Sequence, residues 1–396
     1  MDKNKDNGFP RTLLKQPEAM RYGYFRSYTV AHPKLKEAND NLSDAIREAI
    51  PGSLILVCGP AGVGKTTLRL RTEQRIVTEM LKDLEADPGR FAVVGIEAIP
   101  PDLGNFNWKD FYKRLLKKLD EPCIDYKIKP PGRNGNHSAP RAPNTGLTAA
   151  GTELRQVTEQ VLKHRRPKTL LVDEAQHLAK MSSGRKLQDQ LDSIKSLANT
   201  TEIPVVLIGT YELLSFRNLS AQLSRRSVDV HFRRYRAEQK DEIKTFKNVL
   251  WSFQRHLPLS EEPDLVGDWD YFYERSVGCV GVLKDWITRA LAKALKDGGK
   301  TLTHKHLERS ALSVSQCEKM LADVVEGETM LEETKEARVR LRRRMGLEPR
   351  FTKASENGNG LSEGGEKKPT ATRKRRRPGE RNPKRDPIGN GEKGEE

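Results

Sequence analysis

Apolar and polar positions alternate along the chain with two distinct periods. Short continuous apolar runs occur at Leu54–Cys58, Phe91–Ile96, Thr169–Val172 and Ile203–Ile208, with a fifth ending at Phe232. Runs of this length, bounded by Gly, Pro or acidic residues, predict buried strands. Between them the period lengthens to that of a helix. His32-Pro33 opens a helix that Pro51-Gly52 stops, and Leu68–Leu84 continues after the first strand. From Asn107 to Lys118, residues Trp108, Phe111, Tyr112, Leu115 and Leu116 make one apolar stripe. Further helices are predicted over Thr152–His164, Lys186–Asn199, from after Arg236 to about His256, from Asp264 through Trp286, over Thr301–Ala322 and over Glu328–Arg344. Strands alternating with helices predict a three-layer α/β fold with a parallel sheet.

The stretches between these elements carry the candidate chemistry. Gly59-Pro60-Ala61-Gly62-Val63-Gly64-Lys65-Thr66-Thr67 follows the first strand and opens a helix, the setting that a phosphate-binding loop requires. Its glycines let backbone N–H groups curl inward, and the helix N-terminus adds positive potential. Lys65 is expected to reach the β- and γ-phosphates and Thr66 to ligate Mg²⁺, so ATP and Mg²⁺ are the expected ligands. The third strand ends in Asp173-Glu174, a Walker B pattern. Asp173 would hold Mg²⁺, and Glu174 would orient the attacking water. Thr210, just past the fourth strand, is the candidate sensor of the γ-phosphate, with turn formation the plain alternative. Arg225 and Arg226 stand immediately before the fifth strand, and Lys284 lies on a late helix from which it could reach the nucleotide.

Charge points to the partner. The chain of 396 residues carries a formal net charge of +16. From Thr352 onward there are 12 Lys and Arg against 8 Asp and Glu, so most of the excess lies in the part that folds. A basic protein of this kind favours a polyanion such as nucleic acid. Lys109, Lys113 and Arg114 are candidate phosphate contacts, a solvated basic face being the alternative. Tyrosines among arginines at Arg21–Tyr28 could stack on bases or brace an arm against a domain. Cys58, Cys123, Cys279 and Cys317 have no CxxC spacing and read as reduced thiols, and no apolar run is long enough to span a membrane. A soluble cytoplasmic protein is expected. The segments predicted are an arm over 1–30, an α/β core over 31–258 with a Pro- and Gly-rich insert at 127–150, a helical lid over 259–325, a charged helix over 326–346 and a disordered basic tail over 347–396 holding Arg373–Arg377.

The order of these parts resembles an AAA+ ATPase, a P-loop NTPase with a C-terminal helical lid. More narrowly, His32-Pro33-Lys-Leu-Lys-Glu-Ala38 and Gly278-Cys-Val-Gly-Val-Leu-Lys-Asp-Trp286 make it similar to the TnsC/TniB family of transposition regulators. The resemblance covers about 30 to 300. It implies assembly on double-stranded DNA as a homo-oligomeric ring or helical filament, nucleotide seated between subunits, and Arg225 or Arg226 acting in trans. It also implies that the protein links a target-selection protein or CRISPR effector to transposase subunits, the tail recruiting one of them. Such lids usually carry arginine where Lys284 stands. A helicase-loader or initiator-type ATPase, and a nucleotide-switched signalling ATPase that never touches DNA, are the competing readings.

Overall fold

The computed structural model describes residues 8–100, 106–124, 149–179, 185–219, 227–332 and 334–347. The chain divides into two units, Met1–Glu332 and Glu333–Glu396.

In the first unit, helices α1 (Glu18–Ser27) and α2 (Pro33–Arg47) lead into β1 (Leu54–Cys58). Helices α3 (Lys65–Glu79) and α4 (Leu81–Ala86) precede β2 (Val94–Glu97), and α5 (Trp108–Lys118) and α6 (Ala149–Arg165) precede β3 (Leu170–Asp173). Then come α7 (Arg185–Thr201), β4 (Val205–Gly209), α8 (Leu214–Leu219) and β5 (Ser227–His231). The remainder is helical: α9 (Lys240–Arg255), α10 (Trp269–Ser276), α11 (Val280–Lys296), α12 (His304–Glu308) and α13 (Val314–Leu331).

The five strands form one parallel sheet in the order β2-β3-β4-β1-β5. Every residue of β1, β3 and β4 is buried, as expected where helices cover both faces. The period-two alternation persists inside those apolar runs. Leu54, Leu56, Leu170, Val172, Val205 and Leu207 face one core, which α5, α6 and α7 complete. Ile55, Val57, Leu171, Val206 and Ile208 face the other, closed by Leu35, Leu42 and Ile46 of α2 and Leu68 and Ile76 of α3. The sandwich is the predicted three-layer α/β fold.

A third core lies outside the sheet and is built on α9, α10, α11 and α12. Trp286 fills its centre at 1% exposure and donates its indole N–H to the Leu307 carbonyl at 2.9 Å. The arm braces against this body rather than standing free. Phe25 is fully buried against Phe253, Tyr28 stacks on His256 at 3.8 Å, and Arg21 Nε donates to the Pro258 carbonyl at 2.9 Å.

The charged helix expected from Glu328 to Arg344 is instead two pieces. Chain 314–331 is α13, and α14 (Lys335–Arg344), in the second unit, starts afresh with Thr334 as N-cap, its side chain accepting from the Ala337 N–H at 3.1 Å. Most of the insert at 127–150 lies outside the described residues, although Ala149 and Ala150 already belong to α6; so does the tail beyond Leu347.

Candidate functional site

The strand register places the candidate residues together. Cys58 of β1 pairs with Gly209 of β4, and Val172 of β3 pairs with Leu207. The C-terminal ends of three adjacent strands thus release Gly59, Asp173-Glu174 and Thr210 along one edge of the sheet. Ligands of open α/β sheets bind at that edge.

The loop 59–64 turns there into α3. Gly62 and Gly64 take φ of 71° and 115°, left-handed conformations open to glycine, and Gly64 is the residue before α3. Lys65 follows at 7% exposure, its ammonium donating to the carbonyls of Gly59 at 3.1 Å and Pro60 at 2.8 Å. Burial pushes its pKa below the ordinary lysine value, and the nearby Glu174 and Asp173 carboxylates oppose that shift. Among the described residues only neutral carbonyls bond the ammonium directly, and an anion seated in the loop would give it a charged hydrogen-bond partner.

Asp173 is buried, its carboxylate accepting from Arg69 Nε at 3.2 Å and from the Glu174 N–H at 3.0 Å. Arg69 is one helical turn beyond Lys65 on α3 and also pairs with Glu73. Glu174 itself adopts a left-handed conformation, φ 51° and ψ 32°, at the entrance to the 3₁₀ turn Ala175–Leu178. Lys65, Thr66, Thr67 and Glu174 line a cleft of about 390 Å³, within the size range of small-ligand sites. Thr66 and Asp173 provide a hydroxyl and a carboxylate, the hard oxygen donors that Mg²⁺ takes. Among the described residues no cluster of three His, Cys, Asp or Glu could hold a metal. Phosphate oxygens and water would complete the shell, the arrangement Mg²⁺ prefers.

The opposite wall of the cleft comes from the segment after α1 and from α11 of the helical body outside the sheet. Tyr28, Thr29 and Val30 line it, with Val280, Gly281 and Lys284 of α11. The start of α11 sits directly on the loop 59–64: Val282 N–H donates to the Gly62 carbonyl at 3.1 Å. A Cβ on Gly281 would stand 2.3 Å from that carbonyl oxygen. Gly281 has ordinary helical geometry, so Gly281→Ala should gain up to about 1 kcal/mol of helix propensity. The collision instead forces loop and lid apart, at about 1–3 kcal/mol. We expect nucleotide affinity to drop about tenfold, read by titration of a fluorescent ATP analogue; unchanged affinity would remove the lid from the site.

Lys284 lines the cleft but is engaged with the arm. Its ammonium donates to the Phe25 carbonyl and stands 3.3 Å over the Phe25 ring. Burial lowers its pKa to about 7, with Asp285 opposing. Reaching a γ-phosphate would require Lys284 to leave that carbonyl. Both blocks behind the family resemblance reach this cleft. His32 caps α2 and bonds to the Tyr235 hydroxyl at 3.1 Å, burial lowering its pKa to about 4, and Gly278–Trp286 comprises the cap and the first turns of α11.

Thr210 borders a second cavity of about 360 Å³ between Pro60-Ala61 and α13, and its hydroxyl has no hydrogen-bond partner among the described residues. Helix α13 is anchored beside it. Gly327 lies against the Tyr211 ring, and Glu328, at 6% exposure, pairs with Arg234 at 3.2 Å and Arg236 at 3.3 Å. Arg225 and Arg226 lie outside the described residues. On α5, Lys109 is exposed and Lys113 half-buried, while Arg114 donates to Asp110 at 2.8 Å and to the Glu97 carbonyl at 3.0 Å. Sequence reasoning missed Arg69 and Gln176. The first was findable from its four-residue spacing after Lys65; the second required the strand register.

Residues 51–216 match the model of the AAA domain family. No curated protein matches the chain in sequence. Among solved structures, the ORC2 protein of Aeropyrum pernix in its ADP form is 15% identical, over 82% of this chain and 84% of that one, with a TM-score of 0.47. The Aeropyrum pernix ORC1 protein in complex with DNA is 18% identical, over 74% and 68%, with a TM-score of 0.46. The ORC of Drosophila bound to DNA is 16% identical, over 88% and 76%, with a TM-score of 0.43. Likenesses this remote bear no functional weight. The domain match and the sheet order together make this an AAA+ fold, an α/β P-loop NTPase domain.

Proposed function

From an AAA-family ATPase domain with its cleft roofed by a helical lid, we propose an ATP-hydrolysing regulator that assembles on double-stranded DNA and couples target-site selection to a transposase. One observation carries the hydrolytic part of this reading. Lys65 and Thr66 at the start of α3, and Asp173 and Glu174 at the end of β3, converge on a single edge of the sheet. Lys65 binds the β- and γ-phosphates of ATP, and the loop N–H groups cradle them. Asp173 and Thr66 would hold Mg²⁺, which when bound would neutralise charge developing on the transferred phosphoryl group. Glu174 orients the attacking water, and Thr210 reports on the γ-phosphate. Arg225 or Arg226 reaches the nucleotide of a neighbouring copy.

The DNA and transposition parts rest on the net charge and on the two sequence blocks that now stand at the cleft. A basic face repeated along an array meets many phosphates together, so binding gains from counterion release and carries no base code. Sequence choice then falls to a target-selection protein or CRISPR effector, and the tail beyond Met345 recruits a transposase subunit.

Electron microscopy of the protein with duplex DNA, with and without a non-hydrolysable ATP analogue, tests the proposal. Rings or filaments should form only with both present. A protein that stays monomeric in every mixture would sink the assembly reading, and ATP-dependent turnover without DNA association would favour the signalling alternative.

A further inference from the structure

We infer that Gln176 is a positioning residue that fixes the Glu174 carboxylate and ties it to the end of β4. This rests on the hydrolytic reading of the cleft given above.

The side chain of Gln176 is 5% exposed and sits in the 3₁₀ turn after Glu174. Its amide nitrogen donates to the Glu174 carboxylate, and its amide oxygen accepts from the Thr210 N–H at 3.2 Å. The orientation of that amide is forced. A backbone N–H can only donate and an ionised carboxylate can only accept, so oxygen must face Thr210 and nitrogen must face Glu174. Aspartate, glutamate and lysine offer one polarity each, and asparagine is a methylene shorter.

The surrounding backbone leaves room for this bridge and no more. A Cβ at Gly209 would stand 2.3 Å from the Gln176 amide oxygen. Glu174 meanwhile holds a left-handed conformation that a non-glycine residue keeps only when its surroundings impose it. The Asp173 carboxylate fixes the Glu174 N–H, and Gln176 fixes the other end of the residue. Glu174 belongs to the nucleotide cleft, whereas Thr210 borders the second cavity beside α13. A shift at Gly209-Thr210 is therefore transmitted through one buried amide to the group that orients water.

The test is steady-state ATP turnover by Gln176→Ala and Gln176→Glu in the full chain, with binding of a fluorescent ATP analogue measured alongside. Misplacing an aligned group by about 1 Å costs about a hundredfold, so kcat should fall between about tenfold and a hundredfold, with KM and analogue affinity within about twofold of wild type. The Glu variant keeps an acceptor for Thr210 but loses the donor, and should be no better than the Ala variant. In the Glu174→Gln background, Gln176→Ala should lower the residual turnover no further, because the group it positions is already gone. Wild-type kcat in Gln176→Ala, lost nucleotide binding, or an equal further drop in the double variant would each overturn the inference. A wild-type protein with no turnover at all would sink the hydrolytic reading itself, and this inference with it.

Discussion

Lys65→Ala is expected to lose nucleotide binding and, with it, all ATP-dependent turnover and assembly. The ammonium is buried and, among the described residues, hydrogen-bonds to the Gly59 and Pro60 carbonyls alone, so on the proposed reading its charge is available to phosphate oxygens. Each charge-assisted hydrogen bond to phosphate is worth about 1.5–3 kcal/mol, and loss of two corresponds to at least about a hundredfold in affinity. The folded protein should not suffer. Burial already disfavours the charged form of Lys65, and alanine removes that cost. We therefore expect calorimetry to show a melting temperature at or above that of wild type without nucleotide, together with loss of the stabilisation that ATP confers on wild type. A variant that still gains thermal stability from ATP would break the assignment of this loop as the phosphate site.

Residues whose roles are local were legible in the sequence, and residues whose roles depend on pairing across the fold were not. The loop 59–67 and the acids at the end of β3 announce themselves because strand, turn and helix follow one another within a few residues. The all-buried runs of β1, β3 and β4 likewise state that the sheet is covered on both faces. Glu328 reads as one more charge in a solvated helix, since sequence displays charge but not its partner. In the fold it is buried against Arg234, about a hundred residues earlier, and Gly327 beside it makes room for the Tyr211 ring. The break at 332–334 was hidden for a related reason: acidic and basic residues continue through it, and only the Thr334 cap marks the new start. Gln176 was in plain view, two residues past Glu174. Its meaning emerged only once β3 and β4 were neighbours and Gly209 faced it. Lys284 shows the converse. Its place on a late helix was readable, but the Phe25 carbonyl that engages its ammonium comes from the other end of the chain.

Glu174→Gln should separate binding from chemistry. The substituted amide keeps an oxygen that can accept the Gln176 N–H, and the neighbouring contacts of Asp173 with Arg69 and with the residue 174 N–H are untouched. Fold and nucleotide affinity should therefore survive, the latter within about threefold or tighter, since the charge removed is a negative one beside Lys65 that would repel the phosphates rather than bind them. What disappears, on the hydrolytic reading proposed above, is the carboxylate that would accept and orient the protons of the attacking water. Positioned acid–base groups contribute about 10²–10⁴ in rate, so kcat should fall by about a thousandfold with KM little changed. If nucleotide occupancy holds the assembly on DNA and hydrolysis releases it, this variant should bind duplex with ATP as wild type does with a non-hydrolysable analogue, and should fail to dissociate over time. Dissociation kinetics from labelled DNA after dilution read that directly. Normal turnover in the variant would remove the water-orienting role from Glu174. Slow turnover with normal release would show that dissociation from DNA is driven by something other than hydrolysis, and would cut the link between this cleft and the proposed regulation of transposition.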